Sequence, residues 1–294
     1  MVLNSYMIAS ETIAVLLSEA TLSLYPILIK NVHTDLATQL FFRLGTYSAL
    51  SAGLADKKDL ILTWGSVPSA LSSLAYGFMN LIHIGSSYIG FKELPAGTAM
   101  ALFYIYPFFN IIAGVLFLGE DFKISTLPFF MLALVGVYLL SKEEDKKENK
   151  EGFSETNWTR GFIAIFISAL TETLIFIVAK VAPSASNAFY PMLQLYVGAF
   201  FLWIGVLGAK AQMPDWSAAG PLLLFNIFIG FLGYAMRFYA IPLLPTAVFS
   251  ILSFIGVVTA YGWGNLFVGE VPSLEAFLGA ILITGSIAGV QYVS

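Results

Sequence analysis

The sequence predicts an all-α, polytopic membrane protein with ten transmembrane helices arranged as two inverted five-helix repeats. Three observations carry that prediction. The 294 residues are 58% hydrophobic and only 11% charged, with a mean hydropathy of +0.83, whereas a soluble chain runs near roughly 45–50% apolar and about 25% charged. So few charges cannot cover a water-facing surface. The apolar residues fall in runs close to the ~20 residues that a hydrocarbon core of ~30 Å demands of a helix. Finally, the chain matches itself when shifted by 150 positions.

In chain order the apolar runs lie near 5–29, 36–54, 64–84, 95–118 and 125–141, then 159–181, 186–208, 218–240, 245–268 and 273–293. The stretch "IGSSYIGFKEL" (84–94) can extend the third of them. None alternates with the period of two that strands of a membrane barrel require. Pro95, Pro128, Pro221 and Pro245 are expected in or near first turns, where a missing N–H does no harm. "DKKD" (56–59) and "QMPDWS" (212–217) read as short polar connectors. The longest polar stretch, "SKEEDKKENKEGFSETNW" (141–158), reads as a solvated linker, dividing the chain into repeats 1–141 and 159–294 joined by 142–158. "MVLNSY" puts no positive charge ahead of the first apolar run, so that run is expected to be a retained span and not a cleaved leader.

At the 150-residue offset Pro95 falls on Pro245, Gly114 on Gly264, and Gly119-Glu120 on Gly269-Glu270. "SEATLSLYPILIK" (18–30) falls on "SALTETLIFIVAK" (168–180), matching Ser18, Thr21, Leu24, Ile27 and Lys30 to Ser168, Thr171, Leu174, Ile177 and Lys180. A repeat with an odd number of spans must enter the membrane from the opposite side the second time. Inverted pairs of this kind are characteristic of secondary transporters, with a substrate site near the midplane between the repeats.

Intramembrane charge points to the same place. A carboxylate at the centre of a span costs about 2.5–3.5 kcal/mol on insertion scales, yet Glu19 lies inside the first run. Its strict equivalent is Ala169, but Glu172 follows one helical turn later, and residues three apart share a helix face. Thr12, Glu19, Ser23 and Pro26 form one stripe, and Ser168, Thr171 and Glu172 another. Such stripes should line a cavity, since lipid offers their polar groups no partner. Two readings of the glutamates stand side by side: a satisfied interhelical hydrogen bond, or a substrate site able to exchange a coupling proton. Arg43 and Arg237 either neutralise a glutamate or hold a substrate carboxylate or phosphate, and Arg237 could instead snorkel from a helix end. Tyr25, Tyr76, Tyr104, Tyr196, Tyr234 and Trp263 fall on helices expected to line the cavity, where aromatic faces beside carboxylates suit an ammonium group. His83, Asn80, Gln194, Asn226 and Asn265 read as helix–helix hydrogen-bonding groups, worth ~0.6–2 kcal/mol each, and His33 as a loop residue.

Other classes lack their residues. With no cysteine there is no disulfide, thiolate metal site or cysteine nucleophile, and two distant histidines do not suggest a metal site. A net charge of −4 argues against nucleic acid. No clustered catalytic set and no nucleotide-binding loop is visible, so the chain is not expected to be an enzyme, and its energy source is expected to be a gradient.

"SSYIGFKELPAGTAMALFYIYPFFNIIAGVLFLGEDF" (86–122) and "RFYAIPLLPTAVFSILSFIGVVTAYGWGNLFVGEVPSLEAFLGAILITGSIAGV" (237–290) resemble the signature of the drug/metabolite transporter superfamily, EamA type. The signature is a proline-led helix of small residues, a mid-helix proline, a terminal Gly-Glu and a glycine-studded closing helix. The resemblance covers both halves. Two departures stand out: the mid-helix Pro107 has Val257 as its equivalent, so a kink is expected in the first copy and not symmetrically, and the first span lacks the family's frequent Trp-Gly. The resemblance implies a ten-helix carrier with a central cavity and cytoplasmic termini, although the lysine and arginine distribution favours the opposite orientation. Glu120 and Glu270 carry the signature's Gly-Glu, and their expected role is structural, hydrogen-bonding the start of the next helix. The combined expectation is a secondary active transporter or facilitator, embedded in the bilayer of the cell (inner) membrane. It would move a small polar metabolite such as an amino acid or amine by alternating access, without a cofactor; a coupling proton and a homodimer are partners this reading allows. The alternative is a non-transporting sensor or assembly partner that keeps the carrier fold.

Overall fold

The computed structural model describes residues 10–25, 34–94, 96–150, 157–182, 188–207, 216–268 and 273–293. All regular structure among them is helical. In the first half these are α1 (Ser10–Leu22), α2 (Leu36–Leu54), α3 (Lys57–Trp64), α4 (Val67–Glu93), α5 (Ala96–Phe103), α6 (Tyr106–Leu118) and α7 (Leu127–Lys150). The second half holds α8 (Trp158–Lys180), α9 (Phe189–Met192), α10 (Gly198–Leu207), α11 (Trp216–Leu224), α12 (Leu232–Ala240), α13 (Thr246–Ser253), α14 (Ile255–Val268) and α15 (Leu274–Val293). A π turn, Leu193–Val197, joins α9 to α10, and another, Phe225–Phe231, joins α11 to α12.

Local chemistry sets several boundaries. Asp35 caps α2 by accepting from the Thr38 amide at 2.9 Å, and Ser66 and Ser69 close a reciprocal capping box on α4, satisfying donors that the first turn leaves orphaned. Gly119 ends α6 in the left-handed conformation, φ 65°, which a residue without Cβ adopts freely.

The structure redraws some expected boundaries. "DKKD" does not remain a connector: Asp56 leads into α3, and Asp59 is buried within it. The expected linker is helical through Lys150, continuing α7, and Asn157 caps α8 by accepting from the Arg160 amide at 3.0 Å. Pro128 and Pro245 take the first-turn places expected of them. Pro221 instead lies inside α11, upstream of the π turn, because a proline ring removes one backbone bond and the chain after it re-registers. Pro26, Lys30, His33, Pro95, Lys210, Gly269 and Glu270 lie outside the described residues.

Both proline-led helices are broken, α5 from α6 at Tyr104–Ile105 and α13 from α14 at Phe254, although Pro107 has no counterpart. The expectation of an asymmetric kink is thereby corrected. In the second copy Gly256 stands beside the break, and a glycine there weakens the helical ladder enough for packing to bend it.

Polarity is distributed in the reverse of a soluble protein. Glu19, Glu172, Arg43 and Arg237 are among the least exposed residues, while Leu116, Phe117, Phe228 and Leu266 are among the most exposed. Three helical stretches, 158–180, 219–240 and 246–267, are long and apolar enough to cross a membrane, and 106–118, 124–140, 189–205 and 274–290 form shorter apolar helices.

Helices of each half pack on those of the other. α1 packs against α12, α13 and α14, and α8 packs against α4, α5 and α6, while α7 lies along α15. α4 crosses α10 closely, where Gly77 and Gly198 bring the backbones together: a Cβ on Gly77 would collide with the main chain at Gly198 and Ala199.

Candidate functional site

Where α1, α2, α4, α5, α8 and α12 converge, they line an open cavity of about 660 Å³ counted out through its mouth. Its polar wall is built from the residues whose placement in lipid was hardest to explain. The Arg237 guanidinium, on the last turn of α12, bridges the two carboxylates: Nη1 donates to Glu19 Oε1 on α1, and Nη2 to Glu172 Oε1 on α8. All three residues are 3–4% exposed. One cation thus offsets two buried anions, and the alternative of a snorkelling Arg237 does not apply. The one-turn offset between the glutamates lets them meet the two ends of a single guanidinium. Ser18 braces α1 against α12 by donating to the Gly233 carbonyl at 2.8 Å.

The second carboxylate oxygen of Glu172 meets His83 Nε2 on α4 at 3.2 Å. His83 Nδ1 lies 3.1 Å from the Ser168 carbonyl oxygen and 3.2 Å from Thr171 Oγ1. It donates to the carbonyl when it carries the ring proton and accepts from the hydroxyl when Nε2 carries it, and in the second tautomer the neutral imidazole donates to Glu172 Oε2. His83 thus ties α4 to α8 through both ring nitrogens, in keeping with an interhelical hydrogen-bonding group. Its signal in the sequence was the polar stripe Asn80, His83 and Ser87, spaced three and four apart.

Arg43, on α2, is built differently. Its guanidinium carbon stands 4.4 Å from the Tyr25 ring centre and 5.4 Å from that of Tyr234, with Tyr47 and Tyr88 slightly farther. Nη2 donates to Tyr234 Oη at 2.9 Å. Among the described residues no carboxylate pairs with it, and its buried Nε has no acceptor. Two of the tyrosine faces expected to receive a substrate ammonium, Tyr25 and Tyr234, thus hold the chain's own cation.

Of the expected site residues, the cavity gathers Glu19, Glu172, Arg43, Arg237, Tyr25, Tyr104 and Tyr234. Tyr76 and Trp263 do not line it. Tyr76 precedes His83 by seven residues, two turns and ~10 Å up the same face. The Trp263 indole is committed to α1, donating to the Ala20 carbonyl at 2.8 Å and lying 3.1 Å from Ser23 Oγ. Tyr196 is buried against the Tyr47 ring, behind the wall. Tyr88 and Tyr106 line the cavity without having been singled out; Tyr106 lies under Arg237, its ring centre 5.4 Å from the guanidinium carbon. Gly256 packs beside two of the lining residues: a Cβ there would strike Tyr104 Oη and come 3.2 Å from Glu19 Oε2.

Beyond the cavity, Glu120 links the halves. It accepts from the Thr246 amide at 2.8 Å and pairs with Lys180 at 3.2 Å, while Lys180 also donates to the carbonyls of Ile241 and Leu244. The helix start it caps is α13, from the other half, and not the next helix in sequence as expected. Partial burial pushes its carboxyl up, but the Thr246 amide and the Lys180 ammonium outweigh this and hold it below the ordinary 4.5. A lowered value in the folded state stabilises at neutral pH and is lost as pH falls. Glu120→Gln should lower the melting temperature modestly, as partly exposed pairs do. The gap to the unmodified protein should be full above about pH 4.5 and close on acidification, which melting curves across pH 3 to 7 would read; here those endpoints are roughly the range where a carboxyl titrates.

Comparison with known proteins decides the family. The model of the EamA-like transporter family matches residues 9–142 and again 159–292. The chain belongs to the EamA-like transporter family. Members of this family are integral membrane transporters, in keeping with the apolar exterior. Among relatives of this EamA-like chain, the pseudopaline exporter CntI of Pseudomonas aeruginosa (strain UCBPP-PA14) is 22% identical over 279 residues, 94% of each chain. The uncharacterized transporter YdfC of Bacillus subtilis (strain 168) is 22% identical over 213 residues, covering 68% of this chain and 63% of its own. A solved crystal structure shares the fold of this EamA-like protein with a TM-score of 0.68, at 16% identity and over 96% of both chains.

Proposed function

We propose that this EamA-like transporter is a secondary carrier for a small polar metabolite, an amino acid or a related solute, working by alternating access. The observation that carries the reading is the Glu19–Arg237–Glu172 bridge in the wall of a cavity, where charges that lipid would reject are balanced between α1, α8 and α12. In this reading the chain has ten spans in two inverted five-helix repeats, 1–141 and 159–294, with 142–158 between them. Three features support it: the family model matches each half separately, the packing of α1 on α12, α13 and α14 is repeated by α8 on α4, α5 and α6 at the 150-residue offset, and both proline-led helices break at the same register. A cavity bounded by both repeats is the element that their rocking would expose to each side in turn.

The coupling ion in this reading is a proton, taken up where His83 and Glu172 meet. Moving it would change the hold of Glu172 on Arg237 and bias the two states. The membrane is the cell (inner) membrane, and the relatives named as exporters make outward movement the direction to test first.

The test is uptake and counterflow of labelled metabolites in proteoliposomes, with and without an imposed pH gradient. Glu19→Gln and Glu172→Gln each leave Arg237 one carboxylate, so both variants should purify as folded protein while transport falls about tenfold or more, the loss expected for one charge-assisted hydrogen bond. Full transport in both variants would remove the basis for the reading.

A further inference from the structure

We infer that Arg43 is the anion-binding subsite of the cavity and that the transported solute carries a carboxylate which docks there. The inference rests on the carrier reading above and adds the substrate class to it.

Three observations lead to it. Arg43 is 4% exposed and lines the cavity, in a part of the chain where an uncompensated cation is costly. Arg237, the other cation in that wall, is spent on Glu19 and Glu172, whereas Arg43 has no carboxylate partner among the described residues. Its contacts are tyrosine faces, those of Tyr25, Tyr234, Tyr47 and Tyr88, and tyrosine hydroxyls, that of Tyr234 at 2.9 Å. Tyrosine faces attract a cation but do not neutralise it. Nε, a strong donor, is buried with no acceptor, and a buried unsatisfied donor carries a penalty that its missing partner would relieve. A carboxylate presents its oxygens in the plane that a guanidinium is shaped to meet.

The same arrangement argues against a simple amine as substrate. The faces of Tyr25, Tyr88 and Tyr234 already hold Arg43, that of Tyr106 holds Arg237, and both carboxylates already hold Arg237. An amino group on the solute would have to compete with Arg237, whereas a carboxylate on it meets a donor that nothing else occupies.

The experiment uses the full-length purified protein and matched probes: glycine, leucine, histidine and glutamate, each beside its α-amide and its decarboxylated amine. Thermal stabilisation in detergent and counterflow in proteoliposomes are read for every probe. At least one acid should stabilise the protein and exchange, with its amide and amine weaker by about tenfold to a hundredfold, the range of one charge-assisted bond. Arg43→Gln should bring acid and amide to the same weak level, and Arg43→Lys should restore part of the preference. The comparison of probes on the unmodified protein does not depend on whether either variant folds.

Equal response to an acid and its amide, or an acid preference that survives Arg43→Gln, would overturn the assignment of Arg43. Transport confined to amines or uncharged solutes would overturn the carboxylate class and leave the carrier reading standing. If no probe, and no member of a wider metabolite panel, is bound or exchanged, both readings fall together.

Discussion

Arg237→Ala should lower the stability of the purified protein by about 3–5 kcal/mol, the cost of leaving a buried ionic partner uncompensated, and should abolish transport. Arg237 bridges Glu19 and Glu172, so its removal strands two carboxylates in a wall where neither meets water. Their repulsion then acts between α1 and α8, the two elements that the bridge holds to α12. Arg237→Lys should recover only part of the loss, because an ammonium is a point donor and cannot span two carboxylates as a planar guanidinium does. The triple variant Glu19→Gln, Glu172→Gln, Arg237→Met removes the charges together and should melt nearer the unmodified protein than Arg237→Ala does, while remaining inactive. Chemical unfolding in detergent, beside proteoliposome uptake, reads both effects. Retention of stability by Arg237→Ala would show that the bridge is not what holds these helices.

The second large effect is expected at the crossing of α4 and α10. A Cβ at Gly77 would meet the backbone at Gly198 and Ala199, and backbone cannot swing aside as a side-chain end can. Gly77→Leu should therefore force the helices apart and cost about 3 kcal/mol or more, at or beyond the upper end for overpacked interiors. Gly77→Ala should already be destabilising. Gly85 provides the contrast within the same helix: a Cβ there meets nothing within 4 Å, so Gly85→Ala should be neutral or stabilising by up to about 1 kcal/mol through helix propensity. Opposite signs for one substitution at two glycines of α4 are the expected result, read as shifts in melting temperature. The displacement also matters for the cavity, since Asn80 and His83 lie on the same helix, Asn80 donating to the Leu195 carbonyl across this crossing at 3.0 Å.

How far the site could be read ahead varied with the kind of residue. Glu19 and Glu172 stood out because a carboxylate in an apolar run has a cost that is local and easily recognised. Their common partner did not stand out. Arg237 is 218 positions from Glu19 along the chain, and its neighbourhood admits a snorkelling reading equally well. Arg43 shows the limit from the other side: the sequence offered it a glutamate, and the fold gave it tyrosines. Tyr76 and Trp263 occupy suitable helices but the wrong turns of them, and the depth of a residue along a helix axis is set by neighbours, not by its own spacing. The break in α13–α14 escaped notice because proline was taken as the cause of kinks, whereas Gly256 and packing suffice.

What the sequence determined by itself was the solvent and the duplication. Solvent follows from composition, since each side chain carries its own transfer cost wherever it is placed. Duplication follows from letters in register, which need no coordinates. The tertiary structure alone decided the electrostatics: which cation answers which anion, and which is left without one. Those outcomes depend on separations of a few ångströms between helices far apart in the chain, in surroundings of low polarity where a small change in distance changes the interaction greatly.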